Sequence, residues 1–142
     1  MESLFPAVLR GFLVAWFIGL TVIFNLIEAR RIRRLAEGRE GETICQFARS
    51  LDYRRLDTKI IRAVYVGLQV FMGPDFPLRA SDDFDQTLRI DWEDLDDLAE
   101  EIAKRCGRSI GCWESNPFYG KVATVADLIE FLSALPQTKR LA

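Results

Sequence analysis

The densest group of ionisable side chains in this 142-residue chain lies between residues 91 and 101. Seven carboxylates occupy these eleven positions: Asp91, Glu93, Asp94, Asp96, Asp97, Glu100 and Glu101. Carboxylates this close together could act as a general acid and base, bind a divalent cation, or form a surface that attracts a basic partner. They could also be a helix face that only contacts water. The placement of these acids distinguishes catalysis and cation binding from a partner-binding surface or a solvated face.

Neither catalysis nor metal binding fits the spacing of these acids. Most lie off the apolar stripe that runs from Leu95 to Ile102, so water solvates them and no pKa is raised selectively. The chain has no histidine, which removes the commonest general base and metal ligand. In the preceding loop, Asp83 and Asp85 fail the calcium-loop pattern because Leu88 stands where glycine is required. We therefore expect no enzyme activity, no cofactor and no metal site.

The three cysteines likewise form no zinc pattern. Five residues separate Cys106 from Cys112, and no second closely spaced pair exists. The odd number, with Cys45 as the third, indicates reduced thiols and a cytosolic setting. Whether Cys106 and Cys112 ever pair remains open at this point.

An uncharged apolar segment lies near the N-terminus, at residues 11–27. Only Thr21 and Asn25 are polar in it, and its length is close to the minimum for crossing about 30 Å of hydrocarbon. A secretory signal would begin with positive charge, whereas the first nine residues carry only Glu2. The pattern therefore predicts a transmembrane anchor at residues 1–28.

A basic segment follows the anchor, and we interpret residues 29–42 as a juxtamembrane linker. Four arginines begin it: Arg30, Arg31, Arg33 and Arg34. The positive-inside rule then predicts a single-pass membrane protein whose C-terminal domain is cytoplasmic. These arginines are also expected to contact anionic lipid headgroups at the membrane surface.

Residues 43–136 are predicted to form an all-α domain, followed by a tail at 137–142. Apolar residues recur at three- and four-residue spacing in three segments, and strand signals are almost absent. We expect helices that begin near Asp57, Asp91 and Thr124, because each has a capping residue before an apolar stripe. A short additional helix is expected within 43–55. The fold class is thus an N-terminal transmembrane helix followed by a small helical bundle.

Residues 58–134 resemble the acyl carrier protein family in the order and spacing of their motifs. The matching pieces are a first helix DTKIIRAVYVGLQVF, a long loop that ends in ASDDFDQTLRID, an acidic helix DWEDLDDLAEEIAKRCG, and a last helix that begins TVADLIEFL. The resemblance covers about half of the chain. It implies an acyl-carrier-like bundle whose acidic helix contacts basic patches on partner enzymes.

One position departs from the family pattern. The family's Asp-Ser-Leu motif, whose serine carries the phosphopantetheine arm, corresponds here to Asp91-Trp92-Glu93. Trp92 has no hydroxyl group to bear a phosphodiester, so the resemblance implies a domain without the arm. Because Trp92 is in phase with Leu95 and Ala99, we expect it to pack with the buried stripe. A functional acyl carrier modified at another serine is the alternative, with Ser81, Ser109 and Ser115 as the candidates.

The sequence as a whole predicts a membrane-tethered, acyl-carrier-like binding or scaffold domain. Its seven clustered acids repel one another, and Glu100 and Glu101 lie beyond the helix turn that the dipole favours. This cost favours a surface that recruits a basic partner protein, and the resemblance points to one of acyl or lipid metabolism. We expect contacts with the bilayer and with protein, but not with nucleic acid. A solvated face, or pairing with the arginines at 30–34, remains an alternative.

Overall fold

The computed structural model of the chain describes residues 4–138, with side chains from residue 9 onward. Residues 1–3 of the predicted anchor and 139–142 of the predicted tail lie outside this range. The chain divides into two compact units, Met1–Glu40 and Gly41–Ala142. Within the described residues all regular elements are helical and no strand is present, which confirms the predicted all-α class.

The N-terminal unit is one long helix, α1, at Leu4–Glu37. Every side chain from residue 9 to residue 27 is exposed, and most are apolar. Among the described residues this helix is the one long and apolar enough to cross a membrane. It continues through the predicted linker to Glu37, so the arginines lie on its last turns. The helix is followed by a turn in which Gly41 has a φ of +87°, a backbone conformation that residues with a Cβ atom rarely adopt.

The second unit contains four α-helices: α2 at Ile44–Ser50, α3 at Thr58–Met72, α4 at Trp92–Arg105 and α5 at Val125–Ala134. The predicted helix starts are confirmed by their caps. The Asp57 carboxylate accepts a hydrogen bond from the backbone N–H of Lys59 at 2.9 Å. At α5, the Thr124 N–H donates to Asp127 at 2.8 Å, and the Asp127 N–H donates to the Thr124 hydroxyl oxygen at 3.3 Å. These bonds satisfy N–H groups that have no partner inside a helix.

The core forms around α3, which packs against α2, α4 and α5. Its buried side chains recur at helical spacing: Ile60, Ile61, Val64, Tyr65, Leu68 and Met72. On α4 the predicted stripe is buried at Leu95, Leu98, Ala99 and Ile102. On α5 the buried set is Val125, Leu128, Ile129, Phe131 and Leu132. Each helix thus buries one apolar stripe, as its periodicity predicts.

α3 and α4 approach closely at a single glycine. A Cβ atom at Gly67 would lie 2.8 Å from Cδ1 of Leu98 and 3.4 Å from Cδ1 of Ile102. The first distance is shorter than a normal carbon–carbon contact, so a side chain at position 67 would require Leu98 to move. Gly67 therefore allows the observed close packing of Leu98 on α3.

The segment between α3 and α4 is an ordered loop that packs onto the start of α5. The Val125 N–H donates to the Asp82 carbonyl at 3.0 Å, and the Phe84 N–H donates to the Ala123 carbonyl at 3.0 Å. A π-helical turn at Phe84–Leu88, which the sequence did not indicate, carries the chain toward α4. The loop's apolar residues, Phe76, Leu78, Phe84 and Leu88, are all buried. This loop is therefore packed into the domain through its apolar side chains.

Arg108 joins the ends of three segments. Its guanidinium donates to the carbonyl oxygens of Leu135 at 2.9 Å and Ser133 at 3.3 Å, and to Asp57 Oδ2 at 3.1 Å. These groups belong to the end of α5 and the start of α3. The preceding Gly107 has a φ of +68° and ends α4. A largely buried arginine with charged and carbonyl partners thus closes one end of the bundle.

We expect Gly67→Val to lower the free energy of unfolding by about 1–3 kcal/mol, because the added carbons overlap Leu98. The loss should occur although valine forms helices more readily than glycine. Equilibrium denaturation of the full chain in neutral detergent, followed by circular dichroism, measures it.

Leu98→Ala provides the matched background for this test. This substitution removes the δ-carbons that a side chain at position 67 would contact. By itself it should lower the free energy of unfolding by about 2–5 kcal/mol. In that background Gly67→Val should cost less, with a coupling energy of about 0.5–3 kcal/mol. Equal costs in the two backgrounds would show that the close approach is not what constrains position 67.

Candidate partner-binding surface on helix α4

The acids of α4 and its N-cap residue Asp91 lie outside the buried stripe of the helix. Asp91, Glu93, Asp94, Asp97 and Glu101 are exposed, while Asp96 and Glu100 are half-buried. The structure therefore brings all seven predicted partner-binding residues to one solvent-facing region. We call this region the acidic face.

The acidic face has two electrostatically different halves. In the C-terminal half, Glu100 forms an ion pair with Lys104 at 2.5 Å, and Glu101 pairs with Arg105. Both pairs join residues four apart, the spacing that places oppositely charged side chains side by side on a helix. The charge of this half is thus largely compensated within α4 itself.

The N-terminal half has no such compensation. Four acids here form no ion pair within the described part of the chain: Glu93, Asp94, Asp96 and Asp97. Glu93 and Asp97 are four residues apart, as are Asp96 and Glu100, so like charges repel along the helix. The uncompensated negative charge is therefore concentrated in the first two turns of α4.

Two acids of this half differ from their neighbours in environment. The Asp91 carboxylate caps the helix by accepting a hydrogen bond from the Trp92 N–H at 2.8 Å. The expectation that no pKa in this group is raised selectively is wrong at Asp96: burial raises its pKa above the ordinary value, and the negative charge of Asp97 raises it further. Asp91 therefore contributes to helix formation, whereas the charge on Asp96 opposes folding.

The prediction that Trp92 packs into the buried stripe is wrong, because 56% of its surface is exposed. Trp92 is the first residue of α4. Helix side chains point back toward the N-terminus, so this indole extends beyond the first turn and past the stripe that begins at Leu95. Trp92 is in phase with the buried stripe, as the 3.6-residue period predicts. Within the described residues, however, no element covers the N-terminal end of α4 well enough to bury the indole.

Trp92 lines an open cleft of about 760 Å³ at the start of α4. The lining combines residues in and beside the π-helical turn, at the start of α4 and in the segment before α5: Asp83, Phe84, Asp85, Arg89, Ile90, Asp91, Trp92, Leu95, Val122 and Ala123. Sequence reasoning treated Asp83 and Asp85 only as calcium candidates. It missed that they share a cleft with Asp91, because the path of the loop depends on its contacts with α5.

A second, much smaller cavity of about 40 Å³ is also lined by Trp92. Apolar residues of α4, α5 and the loop between them form most of its lining: Leu95, Ala99, Trp113, Val122, Leu128 and Phe131. Cavities that hold drug-sized ligands typically measure about 300–1,000 Å³. This cavity is far smaller than that, whereas the open cleft is within the range.

The other predicted site residues do not belong to α4. Ser81, Ser109 and Ser115 are not at the starts of α2 to α5, which begin at Ile44, Thr58, Trp92 and Val125. On α1, Arg31 pairs with Glu28, and Arg33 pairs with Glu37 at 3.3 Å. Arg30 and Arg34 are exposed near the end of the same helix. Within residues 4–138, no three cysteine or carboxylate side chains are close enough together to hold a metal ion.

We expect Asp96→Asn and Asp94→Asn to change stability in opposite directions at pH 7. Asp96→Asn should raise the free energy of unfolding by about 0.2–0.5 kcal/mol, because it removes a charge that burial disfavours and that neighbouring acids repel. Asp94→Asn should lower it by about 0.3–1 kcal/mol, because it removes a favourable charge from the first turn. Denaturant unfolding of both variants and the parent measures the difference.

The pH dependence identifies the cause of the Asp96 effect. A carboxylate whose pKa is raised on folding favours the folded state while protonated, and this stability is lost as pH rises above its unfolded pKa of about 3.9. The gain from Asp96→Asn should therefore be present at pH 7 and disappear below about pH 3.5. A gain that persists at low pH would mean that the charge of Asp96 is not responsible.

Comparisons with known proteins do not assign this chain to a family: no protein-family model, curated protein or solved structure matches it.

Proposed function

We propose that this chain is a membrane-tethered, acyl-carrier-like helical domain that recruits a basic partner protein through the acidic face. The observation that carries the proposal is the set of four uncompensated acids, Glu93, Asp94, Asp96 and Asp97, in the first two turns of α4. The buried stripe orients them outward, and the ion pairs that neutralise the second half of the helix do not extend to them. Such a field attracts a basic surface and accelerates its encounter with the domain.

The long apolar helix α1 supports the membrane anchor of this proposal. Its apolar residues 11–27 span about 25 Å at 1.5 Å per residue, and the additional apolar residues before them bring it to the thickness of a bilayer core. The arginines at 30–34 follow at once and favour a cytoplasmic location for residues 41–142. They would also contact anionic headgroups at that surface.

The domain would bind its partner without a phosphopantetheine arm. At the position that corresponds to the carrier serine, Trp92 offers no hydroxyl group, and none of Ser81, Ser109 and Ser115 begins a helix of the domain. A helix N-terminus is the place where backbone N–H groups favour a phosphate. The expected function is therefore recruitment or scaffolding, with a partner of acyl or lipid metabolism suggested by the family resemblance.

Neutralising three acids in the N-terminal half of the acidic face should weaken recruitment strongly. We expect the variant with Glu93→Gln, Asp94→Asn and Asp97→Asn to capture about tenfold less partner than the parent in crosslinking pull-downs from native membranes, since each exposed contact contributes about 0.2–1 kcal/mol. Partners captured by the parent should be basic, and their capture should weaken at high salt.

The matched control changes the same number of charges elsewhere. Asp52→Asn, Asp75→Asn and Glu114→Gln alter three exposed acids outside α4 and should leave capture unchanged. Equal capture by the parent and the α4 variant would refute the proposed surface. A phosphopantetheine adduct in the intact mass of the native protein would instead favour a functional carrier.

The orientation in the membrane can be tested with the native thiols. Cys45 and Cys112 are exposed, so a membrane-impermeant maleimide should label the chain only after cells are permeabilised. In a background without native cysteines, Glu2→Cys should be labelled on intact cells. Labelling of Cys45 or Cys112 on intact cells would place the helical domain on the opposite side.

A further inference from the structure

The cleft at the start of α4 combines an exposed indole with three carboxylates. From these two features we infer that it receives an arginine side chain of the partner, whose guanidinium stacks on Trp92 and pairs with the aspartates of the cleft. This inference rests on the proposed recruitment of a basic protein. It adds the anchoring residue type and the site at which that residue binds.

The apolar part of the cleft offers a surface for stacking. Phe84, Ile90 and Leu95 are buried and line it, whereas Trp92 presents a largely exposed indole. An exposed tryptophan is the best aromatic acceptor for a cation, and a guanidinium lies flat against its ring. The aliphatic stem of the same arginine can cover the apolar lining.

The polar part of the cleft carries net negative charge. Asp83, Asp85 and Asp91 line it together with Arg89, which gives three negative charges against one positive charge. Asp83 accepts hydrogen bonds from the N–H groups of Asp85 at 2.9 Å and Gln86 at 2.8 Å through Oδ1 alone. Asp91 also uses Oδ1 for the Trp92 N–H. Each of these two carboxylates therefore keeps an oxygen that its capping bonds do not use.

The combination of an indole and carboxylates favours arginine over lysine. A guanidinium presents a flat face to the indole and several N–H donors at its edge to carboxylates at the same time. The ammonium of lysine is a compact, strongly hydrated charge that cannot do both. The four uncompensated acids farther along α4 would attract either residue, so they supply attraction without this preference.

The test measures binding of labelled hexa-arginine and hexa-lysine peptides to the full chain in phosphatidylcholine nanodiscs, by fluorescence anisotropy. The peptides carry equal charge, and the neutral lipid adds no competing anions. We expect the parent to bind hexa-arginine about two- to fivefold more tightly than hexa-lysine, as for an exposed cation on an indole. Trp92→Leu should remove this preference while retaining binding of both peptides. Tyr53→Leu changes an exposed aromatic residue outside the cleft and should keep the preference.

Asp83→Asn combined with Asp85→Asn tests the carboxylate wall, since asparagine still caps a helical turn. This variant should also lose the preference for hexa-arginine. Circular dichroism of each variant checks that the domain is folded, and the exposed position of Trp92 makes Trp92→Leu the variant expected to fold best.

The outcomes separate this inference from the proposed function. Equal binding of the two peptides by the parent, or tighter binding of hexa-lysine, would overturn the arginine pocket and leave the acidic face intact. A preference that survives in Trp92→Leu would overturn it as well. Failure of the parent to bind either peptide would overturn both the pocket and the recruitment of a basic partner.

Discussion

The close packing of α4 on α3 is the constraint on which the rest of the domain depends. Leu98 and Ile102 lie against Gly67, where a Cβ atom would be 2.8 Å from Leu98. Because a helix can bury only one stripe in such a contact, this packing also sets the rotation of α4 about its axis. The acids are consequently directed to solvent, and the first residue, Trp92, is directed past the end of the bundle.

The clustered charge on α4 is destabilising by itself, and the structure limits this cost locally. The helix dipole favours acids in the first turn, and Lys104 and Arg105 neutralise Glu100 and Glu101 in the last turns. Asp96 and Asp97 lie between these two regions, where neither the helix dipole nor an ion pair stabilises their charge. The pKa of Asp96 is raised as a result of burial and of the neighbouring charge. The proposed recruitment of a basic partner would account for this arrangement, since such a partner would offset the charge that the domain leaves uncompensated.

Local signals in the sequence were sufficient for the helices and their caps. Asp57, Asp91 and Thr124 were predicted as helix starts and are confirmed, because capping depends on residues one to three positions apart. The buried stripes of α4 and α5 followed from the 3.6-residue period for the same reason. The π-helical turn at Phe84–Leu88 was not predicted, since its position depends on hydrogen bonds to the segment before α5.

The all-α class, the long apolar N-terminal helix and the side of α4 on which the acids lie could be predicted from the sequence, because each depends on spacing along one segment. The exposure of Trp92 and the cleft that Asp83 and Asp85 share with Asp91 became apparent only from the packing of the elements. Both facts depend on which elements end beside the start of α4. Periodicity assigns a residue to a face of its helix, but it contains no information about whether another segment covers that face.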